Sequence, residues 1–185
     1  MNYKAEAIKK AKEISKEYNF SKDNVPTDNL DIIINENNIL LKYEDLPDNI
    51  SGALDLRDKE KPIMLINSSQ NEKRQNFTKA HELAHYFLQK DDPCLHIDDP
   101  IFYRSQISET GIDIKEVQAN TFAAELLMPE DLINELLKMN KTDKENINTD
   151  FDDDIFSEIS KTLKVSLTAL TFRISTLINK NLIKI

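Results

Sequence analysis

Apolar positions recur at helical spacing through most of the chain, broken by three short runs with the composition of strands. Residues 4–18 place Ile8, Ala11, Ser15 and Tyr18 along one helical face. A second helix starts near Thr27 and Asp28, just after Pro26, and turns Leu30, Ile33, Ile34 and Asn37 inward. Ile39 to Tyr43, Gly52 to Leu56 and Ile63 to Ile66 read as strands, the last two joined by the polar hairpin loop Arg57 to Lys61. Pro62 offers no N–H and so belongs at a strand's beginning or edge. Ser69 with Glu72 fits a capping box for a helix in which Phe77, Ala80, Ala84 and Leu88 recur, with Pro93 beyond its end. Residues 91–110 read as loop. Ile114 to Met128 is helical, stopped by Pro129, which suits the start of a further helix through Met139. A polar stretch, 140–154, precedes two helices, Ile155 to Leu163 and Leu167 to Ile178, around the turn Lys164-Val165-Ser166. The expected fold is α+β, with a small antiparallel or mixed sheet of about three strands.

Composition narrows what such a fold can do. The chain has 185 residues, 39% of them hydrophobic, enough for one compact core and against disorder. Two glycines leave little with which to build a strained phosphate loop, and no P-loop or dinucleotide-binding pattern occurs. One cysteine, Cys94, rules out an intramolecular disulfide, and neither an apolar leader nor a run of membrane-spanning length is present, so a cytoplasmic protein is expected. The net charge of −9 is uneven. Residues 155–185 hold five basic side chains against Glu158 alone, a net +4, and the remainder holds nineteen against thirty-two acidic, a net −13. An acidic body disfavours general binding to nucleic-acid phosphates.

His81-Glu82-Leu83-Ala84-His85 has the pattern H-E-x-x-H within a predicted helix. Side chains four apart are neighbours, about 5–6 Å between Cβ atoms, so both imidazoles reach one ion at about 2.0 Å. Glu82 is rotated about 100° from His81, out of ligation but beside a water on the ion. The motif alone also arises by chance in helices with two surface histidines. A catalytic zinc needs a third protein ligand and an open fourth position. With three histidines in the chain, that ligand is His96, Cys94 or a carboxylate. Glu116 shares a helical face with Ala119, Asn120 and Ala123, whose small alanines allow close packing, and Asn120 is placed to accept from a ligating histidine's other nitrogen. On spacing alone, a solvated face is the favoured reading of Glu116 and Asn120.

Longer stretches change that balance. Arg74, Phe77-Thr78-Lys79-Ala80-His81-Glu82-Leu83-Ala84-His85 and Glu116-Val117-Gln118-Ala119-Asn120-Thr121-Phe122-Ala123-Ala124-Glu125-Leu126-Leu127-Met128-Pro129 resemble the ImmA/IrrE family of bacterial metallopeptidases. The resemblance extends to the strand Ile63 to Asn67 and, more loosely, to the N-terminal helices and the C-terminal helix pair. It implies a zincin-like core with a gluzincin-like site: His81 and His85 as metal ligands, Glu116 as the third, and Glu82 as catalytic acid and base. The ion is zinc by implication, with manganese or iron as substitutes. Lys79, where such helices usually carry an uncharged residue, is expected to point to solvent. The family often has glycine before the second histidine and another histidine soon after the motif, where this chain has Ala84, Gln89 and Lys90.

The resemblance divides the chain into a zinc metallopeptidase domain, residues 1–139, and the polar loop with the helix pair, residues 140–185, an appendage like a helix-turn-helix. Its implied activity is limited proteolysis of a specific protein, a repressor-type DNA-binding protein of a mobile element or stress regulon. The competing reading is a regulator or toxin-system component without catalysis, whose metal holds a fold that binds a repressor or DNA. Direct DNA recognition is disfavoured: the second helix of the pair offers only Thr168, Thr171, Arg173 and Ser175 as readers, with Leu170, Phe172 and Ile174 expected in the core. Tyr86, His96, Tyr103 and Arg104 are candidate oxyanion donors, of which Tyr86 fits packing better and His96 a surface position. Cys94 reads as inert, and the acidic run Asp150 to Asp154 lacks the glycine and glutamate of a calcium loop.

Overall fold

The computed structural model describes residues 3–89, 94–98, 113–142 and 153–183. The helices α1 (Tyr3–Glu17) and α2 (Pro26–Glu36) lead into strands β1 (Leu40–Glu44), β2 (Gly52–Asp55) and β3 (Ile63–Asn67). Then come α3 (Glu72–Gln89), β4 (Leu95–Asp98), α4 (Ile114–Leu127), α5 (Glu130–Thr142), α6 (Asp153–Thr162) and α7 (Leu167–Asn179). The architecture is α+β. Strand order is β1-β3-β2-β4, with β1 parallel to β3 and the other two pairings antiparallel, so the sheet is mixed. Its fourth strand falls within the stretch expected to be loop. Leu95-His96-Ile97-Asp98 alternates apolar and polar side chains, but it is the ladder against β2 that makes it a strand.

Local chemistry sets the element ends. Pro26 opens α2, where its missing N–H costs nothing. The capping residue of α3 is Asn71, whose Oδ1 accepts from the Arg74 N–H at 3.1 Å, rather than Ser69. Ser69 instead gives its backbone N–H and hydroxyl to Asn67 Oδ1. The buried Asn67 also donates to the carbonyls of Leu46 and Ile50, at 3.1 and 2.7 Å, pinning the connection between β1 and β2 to the end of β3. In α1 the buried face is Ala7, Ala11 and Ile14, with Ile8, Ser15 and Tyr18 at its margin rather than its centre.

The core lies between the sheet, α3 and the helices around it. Leu54, Leu56, Met64 and Ile66 meet α3 from the sheet, and Leu30, Ile33 and Ile34 close the side under α2. On the other side α4 packs on α3, with Ala80 and Ala84 facing a helix whose buried positions include Ala119, Phe122 and Ala123, and α1 covers α4. Lys79 is the exception to expectation on α3. It is 7% exposed, and its Nζ lies 2.7 Å from Asp31 on α2 and over the Tyr43 ring of β1. Its long stem crosses the core margin so that the ammonium reaches those partners.

The C-terminal pair is held to α4 by a buried ion pair, Arg173 Nη2 to Glu125 Oε2 at 2.7 Å, with Arg173 Nε donating to the Met128 carbonyl. Asn76 on α3 also donates to the Lys164 carbonyl at 3.3 Å. This sets the rotation of α7. Arg173 points inward, Leu170 and Ile174 are buried as expected, and Phe172 is 76% exposed instead of in the core. Phe172 borders an apolar groove of about 820 Å³, lined also by Phe77, Met128 and Val165. No helix among the described residues is long and apolar enough to cross a membrane.

Gly52 fixes how closely α3 lies on the sheet. A Cβ there would come within 2.5 Å of Thr78 Cγ2 and 2.6 Å of the Leu65 carbonyl oxygen, and the second is backbone that cannot yield without moving the ladder. Gly52→Ala is therefore expected to lower stability in urea unfolding by about 1–3 kcal/mol, the usual cost of overpacking; an unchanged midpoint would show the helix free to shift.

Candidate metal centre

The first element of the site is the middle of α3, where helical spacing puts His81 and His85 one turn apart on the face covered by α4. Both are buried, their rings meeting edge to face with centroids 4.8 Å apart. Their Nε2 atoms lie 3.1 Å from one another. The second element is the first turn of α4, capped by Asp113, which accepts from the Lys115 N–H at 2.8 Å. From that turn Glu116 places Oε2 3.0 Å from His81 Nε2 and Oε1 3.2 Å from His85 Nε2. Among the described residues, these three form the one group of His, Cys, Asp or Glu side chains assembled as metal donors would be, all within 4.8 Å.

Donor spacing and electrostatics fit a divalent cation. A tetrahedral ion with bonds of about 2.0 Å holds its donors roughly 3.3 Å apart. The two ring nitrogens, 3.1 Å apart, are close to that, and each faces its own Glu116 oxygen, Oε2 at 3.0 Å from His81 and Oε1 at 3.2 Å from His85, with one donor atom from each of the three residues falling within 4.8 Å. Glu116 Oε2, although near His81, has no aligned hydrogen bond and is buried. Burial alone would raise the Glu116 carboxyl, but the two imidazoles prevail and draw its pKa down to about 2, so an anion sits beside two ring nitrogens. Soft-to-borderline nitrogen with one carboxylate is a donor set that suits zinc and its neighbours.

Glu82 is fully buried, and both of its carboxylate oxygens lack a partner. Burial pushes its pKa up to about 8 against the lowering influence of His85, with Asp98 and Glu116 adding to the rise. An unpaired buried carboxyl is costly, and such groups concentrate where chemistry needs them.

The surroundings differ from expectation in two places. Asn120 is exposed on α4 and reaches neither histidine; instead Gln89 Oε1 lies 2.8 Å from His85 Nδ1. His96, on β4, is not a free surface side chain. It stacks on His85 with centroids 4.2 Å apart and planes 17° apart, and its Nε2 lies 3.0 Å from Cys94 Sγ. Neither His96 nor Cys94 joins the donor cluster. Tyr86 packs, as expected, and gives its hydroxyl to the Asn37 carbonyl. Tyr103 and Arg104 lie outside the described residues, as do Asp150 and Asp152 of the acidic run.

Arg74 proves to be the clamp between helix and sheet. Its Nη2 lies 2.6 Å from Ser51 Oγ and 3.0 Å from Asp98 Oδ2, its Nε lies 3.0 Å from Ser51 Oγ, and its guanidinium caps the Phe77 ring that leans toward His81. Asp98 also accepts from the Thr78 hydroxyl, at 3.4 Å. The end of β4, and with it the strand bearing His96, is thereby fastened to α3.

With fold and donor set in place, comparison with known proteins gives the family. The family described as the IrrE N-terminal-like domain, peptidase M78, matches residues 34–175, and the chain belongs to it. The chain is 41% identical over 81 residues to the radiation response metalloprotease IrrE of Deinococcus radiodurans, covering 44% of this chain and 24% of that protein. It is 38% identical over 80 residues to the protein of the same description from Deinococcus deserti, covering 43% and 27%. The matches thus span about a quarter of each relative's length.

The clamp makes a prediction. Arg74→Met strands the Asp98 carboxylate, 9% exposed at its side chain, and is expected to cost about 3 kcal/mol in urea unfolding. Adding Asp98→Asn removes the orphaned charge and should restore most of that loss. A double variant no more stable than Arg74→Met would mean the pair does not couple.

Proposed function

We propose that this chain is a zinc-dependent endopeptidase performing limited proteolysis of a specific protein, a helix-turn-helix transcriptional repressor. The observation that carries the proposal is the convergence of His81, His85 and Glu116 beside a buried carboxylate, Glu82, that has no partner. Family membership supports the metallopeptidase chemistry. The repressor rests on the ImmA/IrrE resemblance.

His81, His85 and Glu116 are the residues that would hold the ion. What zinc supplies when bound is Lewis acidity, polarising a carbonyl and bringing the pKa of a water near 7. Glu82 would accept the proton of the attacking water and deliver it to the departing amine, the work of a carboxylate set beside the donor cluster. His96, stacked flat against His85, is the described side chain nearest in kind to an oxyanion donor. In this reading residues 1–139 form the catalytic domain and the helix pair within 140–185 an attached unit, in a protein of the reducing cytoplasm.

Direct DNA reading by α7 finds little support. Its one basic side chain, Arg173, is consumed by Glu125, and its outward face presents Phe172. A regulator that binds without cutting is separated from an enzyme by one variant. Glu82→Gln keeps size and polarity but cannot carry a proton. Incubated with a helix-turn-helix repressor that is its substrate, the zinc-loaded wild type is expected to cut at a discrete position, stopped by a chelator. Glu82→Gln should retain one zinc per chain and lose cleavage by about 10²-fold or more. Equal cleavage by the variant would contradict the assignment of Glu82.

A further inference from the structure

Gln89 ends α3 one turn beyond His85, and it is the side chain that meets the ligand histidine's far nitrogen. Gln89 Oε1 lies 2.8 Å from His85 Nδ1, and Gln89 Nε2 lies 3.5 Å from the carbonyl oxygen of Lys115, the residue next to Glu116 on α4. The carbonyl of Lys115 can only accept, so the amide nitrogen faces it and the amide oxygen faces His85. An oxygen only accepts, so the proton between Gln89 and His85 belongs to Nδ1. The imidazole is thereby set in the tautomer whose Nε2 bears a lone pair, and that lone pair points to the convergence of His81 and Glu116. His81 differs: its Nδ1 is buried without a partner.

From this geometry we infer that Gln89 is a positioning residue for the metal centre: one amide fixes the tautomer and ring direction of His85 and ties that ring to the α4 turn that presents Glu116. The inference rests on the metal-site reading above. Hydrogen-bond partners of ligating histidines raise ligand basicity and hold ring orientation, and their loss typically weakens metal binding by about 10–100-fold. Gln89 acts on both sides at once, since a free His85 ring can turn away from Glu116 and a loosened α4 turn can carry Glu116 away from both histidines. Asn120, on the outward face of α4, cannot substitute for it. Partial exposure of Gln89 at the helix end leaves room for replacement without opening the core.

The test compares the full chain with Gln89→Leu, which keeps length but cannot accept, and Gln89→Glu, which restores an acceptor. Zinc affinity is measured by competition with a chromophoric chelator, and the visible absorption of bound cobalt(II) reports coordination geometry. Thermal unfolding in excess chelator checks folding. Gln89→Leu is expected to melt within a few degrees of wild type in chelator, to bind zinc about 10–100-fold more weakly, and to show an altered cobalt spectrum, while Gln89→Glu binds within a few-fold of wild type or more tightly. Unchanged affinity and spectrum in Gln89→Leu would overturn the role of Gln89 and leave the metal site intact. Weakened binding that Gln89→Glu fails to restore would overturn the acceptor role, because an oxygen facing His85 Nδ1 would then not be what holds the ring. A wild type that binds neither ion would remove the metallopeptidase reading together with this inference.

Discussion

Two imidazole nitrogens and a carboxylate, each 3.0–3.2 Å from the next and buried between α3 and α4, repel one another unless positive charge lies among them. A divalent ion among them would relieve that repulsion and take one lone pair from each residue. The rest of the molecule is arranged so that this arrangement persists. Gly52 lets α3 lie flat on β2, Arg74 fastens the approach to His81 onto β4, and small alanines bring α4 close enough for a glutamate to reach. Moving either helix by an ångström would cost the cluster its shape, which is why the packing around it is tight and not generous.

The same logic accounts for Glu82. A carboxyl buried with neither oxygen bonded is a standing cost to folding, and nothing in the packing of α3 requires a glutamate there. Its position one residue after His81 places the cost beside the donor cluster, where a group able to take and return a proton is useful. In the proposed mechanism, stability is given up at one point of the core in exchange for reactivity there.

Much of this was readable from residues alone, for a physical reason. The helical repeats of α2, α3 and α4 and the H-E-x-x-H spacing are local properties, and the long stretch from Glu116 to Pro129 carried the family resemblance that singled out the third donor. What stayed hidden depends on partners distant in the chain. Lys79 looks solvent-bound until Asp31 comes beside it, and Arg173 looks like an exposed base until Glu125 claims it, which in turn rotates Phe172 outward. The strand Leu95–Asp98 is four residues long, near prolines and acidic pairs, and has no signal apart from its alternation until β2 pairs with it. Asn120 and Gln89 are both amides one turn from a donor, and only the placement of α4 against α3 distinguishes them.

The claim on which all else depends is that one ion is shared by donors from two helices, with the neighbouring thiol of Cys94 left out. X-ray absorption at the zinc edge, measured on the zinc-loaded chain, addresses this directly. The account predicts one zinc per chain in a nitrogen and oxygen shell near 2.0 Å, with the outer scattering of two imidazoles and no sulfur. A sulfur scatterer at about 2.3 Å, or the absence of stoichiometric zinc, would contradict it.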